Sequence, residues 1–206
     1  MNAFNLTTLS GFFGVMYLYF ALMVSIFAVN LGNGIIAKEE RDKTVEFALT
    51  MPITRARLIT FKVLAALVHC VLFVGIIWGL TVVLAQPYNP DQEFYGFIRL
   101  GMVALLMLEV IFLAFGVLLG AAMKDYKRSG SVAVSLLLVT YVLSVIADLS
   151  DKFDFLKYFT PFKYFNPLLM LTESRFEMPY VWLSAGIVVV CLAAAYITYQ
   201  KRDLYI

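Results

Sequence analysis

Five stretches of this chain stay apolar long enough to cross a hydrocarbon core, which takes ~20 helical residues. They are Phe12–Ile36, Leu64–Ala85, Ile98–Met123, Ser131–Ala147 and Tyr180–Tyr199. The fourth is short, but it is almost entirely Val, Leu, Ser and Ala and is bounded by charge at both ends, so it counts as a span. In a chain of 206 residues, 62% hydrophobic and 15% charged, this is more apolar surface than one water-soluble core can bury. The fold class that follows is all-α and polytopic, with about five transmembrane helices in a single membrane domain over residues 1–206.

Lys and Arg in the short loops set the expected orientation. Lys38, Arg41, Lys43, Arg55, Arg57 and Lys62 follow the first span, Lys124, Lys127 and Arg128 follow the third, and Lys201 and Arg202 close the chain. All fall on one side. The opposite side receives Met1–Ser10, which lacks Lys and Arg, then Gln86–Phe97 with Asp91 and Glu93, and a mixed-charge segment from Asp148 to Pro179. The positive-inside rule therefore puts the Gly34–Lys62 loop and the C-terminus in the cytoplasm and Met1 outside. An external start without basic residues leads to a further expectation: the chain continues a longer polypeptide that begins in the cytoplasm before one more span. An upstream reading frame closed directly before Met1 would sink that idea.

A catalytic centre is hard to assemble from these residues. His69 is the sole histidine, so His-containing triads and multi-histidine metal sites lack their parts. There is no GxSxG, HExxH or paired CxxC, and no GxxxxGK[ST] phosphate loop. The expectation is a non-enzyme whose energy comes from a partner or a gradient. Cys70 and Cys191 lie in apolar runs and read as small buried hydrophobes. A net charge of +2, with the basic residues scattered over loops, gives no reason to expect nucleic acid.

Inside the spans, Glu109 is the sharpest polar residue. A carboxylate facing lipid at mid-span is expensive, so Glu109 is expected to face the bundle interior or to be protonated. It reads either as a lining residue on a substrate or proton path, or as a helix-packing contact. His69 reads as a packed or hydrogen-bonded interior histidine, with the option of facing Glu109. Two small-xxx-small patterns, Gly75–Gly79 and Gly116–Gly120, are candidate close helix contacts. Asp148–Pro179, thick with Phe, Tyr, Lys and Pro, reads as short amphipathic pieces broken at Pro161 and Pro167. These lie at the outer interface or dip back into the membrane.

The densest charge run is Gly34–Lys62. A short helix over about Asp42–Met51 would put Val45, Ala48 and Leu49 on one face and Lys43, Glu46 and Thr50 largely away from it. Pro52 stops that helix and Thr54 can cap the next. The run Glu39-Glu40-Arg41-Asp42-Lys43-Thr44-Val45-Glu46-Phe47-Ala48-Leu49-Thr50-Met51-Pro52-Ile53-Thr54-Arg55, followed by Lys62, resembles the first cytoplasmic loop of ABC-2 type transporter permeases. The later Leu156-Lys157-Tyr158-Phe159-Thr160-Pro161-Phe162-Lys163-Tyr164-Phe165-Asn166-Pro167 looks like that family's last extracellular segment. The resemblance covers essentially the whole chain, although the family normally has six spans and a cytoplasmic N-terminus.

The resemblance implies a membrane-spanning permease subunit of an ATP-driven exporter. Its coupling set would be Glu39, Glu40, Arg41, Asp42, Lys43, Thr44, Val45, Glu46, Ala48, Leu49, Pro52 and Arg55, contacting a separate ABC ATPase subunit. ATP and Mg would sit on that subunit, with no cofactor on this chain. The other partners would be a second permease chain, as homo- or heterodimer, and membrane lipid, in the cytoplasmic membrane of a bacterial cell. The competing reading is a non-transporting sensor or accessory subunit of the same fold.

Overall fold

The computed structural model describes residues 7–42, 54–123, 125–147, 149 and 151–201. Among them there is no strand, and five helices are long and apolar enough to cross a membrane. The chain is an all-α polytopic membrane protein.

Helix α1, Leu9–Ile36, starts where the Thr8 side chain accepts a hydrogen bond from the Gly11 amide at 3.1 Å. The four-residue α2, Lys38–Arg41, follows it. Helix α3, Arg55–Ala85, begins at the Thr54 cap, whose hydroxyl accepts from the Arg57 amide at 3.3 Å. It runs into a 3-10 turn, Gln86–Tyr88, that ends on left-handed Asn89. Asp91 opens α4, Gln92–Ala122, by accepting from the Phe94 amide at 2.8 Å. Helix α5, Tyr126–Ala147, starts beside Asp125, which accepts from the Lys127 amide at 2.9 Å. Next come 3-10 segments Asp151–Phe159 and Pro161–Lys163, the short α6, Pro167–Glu173, and α7, Met178–Lys201.

The helices start earlier than the apolar runs do. Arg55 stands well ahead of Leu64, and Gln92 ahead of Ile98. Hydropathy ends a run at the first charges, whereas a helix ends where its orphan amides find a side-chain acceptor. Long basic side chains near the ends of α3 and α4 can remain helical and still reach water.

Helix α4 is the hub, packing against α1, α3, α5, α6 and α7. In its most apolar stretch 61% of residues are buried, against 28% in α3, so α4 is the core and α3 belongs to the periphery. Helices α1 and α4 run parallel, with Gly101 beside Phe13 and Tyr17, Gly116 beside Val29 and Asn33, and Gly120 beside Asn33 and Ile36. A Cβ added at Gly116 would run into the Val29 carbonyl and the Asn33 amide, and one at Gly32 into the Leu113 carbonyl. The two backbones touch, which only glycine permits.

Candidate functional site

Residues 43–53 join α2 to the cap of α3, and the helix expected over residues 42–51 falls largely among them. Lys43, Thr44, Val45, Glu46, Ala48, Leu49 and Pro52 thus lie outside the described residues. Both feet of the loop are described. Glu39, Glu40 and Arg41 belong to α2, and Arg41 Nε pairs with Asp42 Oδ1 at 3.0 Å. That pair is exposed, a geometry that contributes ~0–1 kcal/mol.

The firmer attachment lies a turn deeper. The buried Lys62 ammonium of α3 donates to the Ile36 carbonyl at 3.3 Å. A cation there meets the negative end of the α1 dipole and one of the carbonyls that a helix end leaves unpaired. It joins the two feet directly. Helix α3 is also fastened to the far end of α7: Arg55 Nη1 donates to the Gln200 carbonyl at 3.4 Å, and Thr60 Oγ1 lies 2.7 Å from Tyr196 Oη. The Thr60 hydroxyl donates to Ala56 O at 2.8 Å, so its one proton is used and Tyr196 is the donor to it.

Beside these feet, α1, α4 and α5 are knotted together. The fully buried Ser129 hydroxyl donates to Asn33 Oδ1, and Gly120 and Gly130 leave room for the Asn33 side chain. Asn33 and Ser129 were not singled out by the sequence reading. The available signal was weak: a polar residue in the last turn of one apolar run and another just before the next.

Glu109 sits in the middle of α4 and is 0% exposed. Neither carboxyl oxygen has a hydrogen-bond partner among the described residues. The Cys70 thiol of α3 faces the carboxyl without closing a well-formed hydrogen bond to it. The parallel register of α1 brings the fully buried Ser25 to the same depth, and its hydroxyl is unpartnered as well; so is that of Tyr17, farther toward the start of α1. Glu109 and Ser25 are thus unsatisfied at the centre of the bundle, and Tyr17, beside Gly101, continues this polar stripe toward the start of α1; each unpaired group costs about 1–3 kcal/mol.

His69 does not join this stripe. It is exposed, with Nδ1 2.7 Å from the Ala65 carbonyl one turn back. Adjacent helical residues stand about 100° apart around the axis, and buried Cys70 takes the inward direction. The expected interior histidine is therefore an outward one, and the option of a Glu109–His69 pair is not realised. Among the described residues no group of His, Cys, Asp or Glu gathers closely enough to hold a metal ion.

At the end of the bundle opposite the loop, the aromatic segment between α5 and α7 turns inward. Phe162 reaches 5.1 Å from the Phe112 ring and 5.7 Å from that of Tyr141. From Gln92 to Phe112 α4 rises about 30 Å, so the tip descends to the depth of Glu109, one turn away on α4. Pro161 and Pro167 each open a helical piece, which suits a residue with fixed φ and no amide proton. Tyr164 is buried, stacks on Tyr180 at 5.4 Å and donates to the Tyr158 carbonyl at 2.6 Å. Burial, with Tyr180 beside it, pushes its phenol up to about 12, so it remains a neutral donor at physiological pH.

Of the two glycine patterns, Gly116–Gly120 is a close contact with α1, whereas a Cβ at Gly75 or Gly79 would meet nothing within 4 Å. A family model described as ABC-2 family transporter protein matches residues 2–204. A comparison with curated proteins finds no match.

Proposed function

The chain belongs to the ABC-2 family of transporter proteins, as a multi-pass membrane permease of an ABC transporter, and from that premise we propose that it works as an exporter driven by separate ATPase subunits. Those subunits carry ATP and Mg; this chain performs no catalysis of its own and holds no cofactor. Two permease chains, identical or paired with a related one, form the membrane part in the cytoplasmic membrane of a bacterium. The loop and the C-terminus face the cytoplasm, and the ATPase grips residues 42–52, with Val45, Ala48 and Leu49 as the apolar contact and the surrounding charges, including Glu46, setting register.

The observation that carries this reading is the Lys62–Ile36 bridge, which clamps the two feet of the loop at the end of a long unbroken helix. With α1 and α3 tied together at the loop's two feet, a force applied there is passed into α3. ATP binding drives transport only if the ATPase contacts the two permease states differently. Rigid transmission supplies that difference to the bundle, and α3 moving against α4 would open the Glu109 stripe from the Cys70 side.

The test is direct. Glu46→Lys and Leu49→Asp are expected to abolish ATPase association in a pull-down and transport in vesicles, while the chain still inserts. Association at the wild-type level by both variants refutes the assignment.

A further inference from the structure

Arg99 is a cation set about two turns inside a spanning helix, with no partner among the described residues. It lies in α4 near the end opposite the loop, is exposed, and makes no hydrogen bond or ion pair with any described residue. Its α-carbon is about 12 Å from the midpoint of α4, close to the ~15 Å half-thickness of a hydrocarbon core. A guanidinium at that depth must snorkel to the interface or find an anion there.

The surroundings favour an anion with a tail. Trp78, Val82, Gln92, Tyr95, Gly96 and Arg99 line a groove of about 440 Å³ between α3 and α4. Gln92, Tyr95 and Arg99 recur on one stripe of α4 at helical spacing, and Glu93 falls about 120° away from Arg99, so no acid shares that stripe. Gly96 forms an open floor, with nothing within 4 Å of an added Cβ. One turn toward the bundle centre the same stripe becomes apolar at Val103, opposite exposed Val71 and open Gly75 on α3. The groove thus has hydrogen-bond donors and interfacial rings at headgroup level and a bare apolar track leading inward.

We propose that this groove binds a phospholipid of the leaflet opposite the loop, with the headgroup phosphate on Arg99 and an acyl chain laid along Val103, Val71 and Gly75. The guanidinium fork matches a phosphate with two parallel hydrogen bonds, while Trp78 and Tyr95 are rings that favour the headgroup boundary. The inference rests on the chain spanning a membrane and not on the ATPase coupling, so either can fail alone.

The test titrates the delipidated full chain in detergent with phosphatidylglycerol, with diacylglycerol of the same chains, and with inorganic phosphate as competitor, counting bound lipid by native mass spectrometry. Wild type is expected to retain one phosphatidylglycerol per chain. Arg99→Gln is expected to weaken it roughly ten- to a hundredfold, as loss of a charge-assisted bond implies. Arg99→Lys, a point charge without the fork, should lose less. Gly96→Leu, one turn from Arg99 on the same face, fills the groove while keeping the guanidinium and should lower occupancy with the charge intact. Wild-type affinity in both Arg99→Gln and Gly96→Leu overturns the proposal, and so does equal binding of diacylglycerol. Displacement of the lipid by equimolar inorganic phosphate overturns the lipid as the ligand and leaves a free-anion site.

Discussion

The α1–α4 pair and the α3 helix are built on opposite plans. Helices α1 and α4 meet backbone to backbone over several turns through Gly32, Gly116 and Gly120. Helix α3 leaves most of its length uncovered, with Leu64, Val68, Leu72, Ile76 and Val83 all more than half exposed. Its polar fastenings cluster at the loop end, at Arg55, Thr60 and Lys62. Interlocked backbones have no second arrangement of similar energy, because any shift brings a carbonyl into a Cα. A helix held at one end and smooth along the rest can tilt or rotate at little cost. On the proposed transport cycle, the pair would be the fixed frame and α3 the moving part.

The largest expected effect comes from Gly116→Leu, whose added atoms must push α1 off α4. It should cost more than about 4 kcal/mol, read as loss of the monodisperse peak in size-exclusion chromatography. Gly75→Leu makes the same chemical change on the open face of α3 and should stay within about 0.5 kcal/mol in thermal unfolding. If the two variants behaved alike, the distinction between frame and moving helix would be lost.

Glu109→Leu comes next and has the opposite sign. Removing an unsatisfied buried acid should raise stability by about 1–3 kcal/mol, while substrate transport by the complex falls because the polar stripe is gone. A lowered melting temperature would show that the carboxyl is bonded in the fold and that the stripe is packing.

Lys62→Met tests the hinge between the two regions. It should lower stability by about 1–2 kcal/mol and reduce the stimulation of ATPase by substrate, with Lys62→Arg restoring both. The smallest effect is expected at the half-buried Arg55, whose bond to Gln200 is solvent-exposed: Arg55→Gln should change the melting free energy by less than about 1 kcal/mol, since Thr60 and Tyr196 still tie α3 to α7.

The sequence made the five spans and the Thr54 cap readable because each is a local property: apolar length, and a short hydroxyl side chain before a helix. Gly116–Gly120 was readable as a candidate only. Gly75–Gly79 has the same spacing, and what separates them is which helix lies opposite, a matter of tertiary register. The same limit hid Lys62 on Ile36, Ser129 on Asn33 and Cys70 against Glu109, all contacts between residues far apart in the chain. His69 was misjudged because a run apolar on every side carries no phase to say which residue points inward. The depth of Phe162 was open too, since aromatic rings suit the interface and the interior equally. Residues 43–53 carry most of the expected coupling set, and that part of the site rests on sequence and family alone.

Neighbouring α4 and α5 differ in reach. Thirty-one residues give α4 about 46 Å and twenty-two give α5 about 33 Å, and the shorter helix stops below the far surface, where the aromatic segment takes over. Around its perimeter the protein therefore presents unequal hydrophobic thickness to the bilayer. Lipids beside α5 meet a helix close to the ~30 Å hydrocarbon thickness and those beside the 31-residue α3 a longer one, so the cost of each protein shape depends on acyl-chain length. Membranes built from short chains and from long chains would set different resting tilts for the same polypeptide.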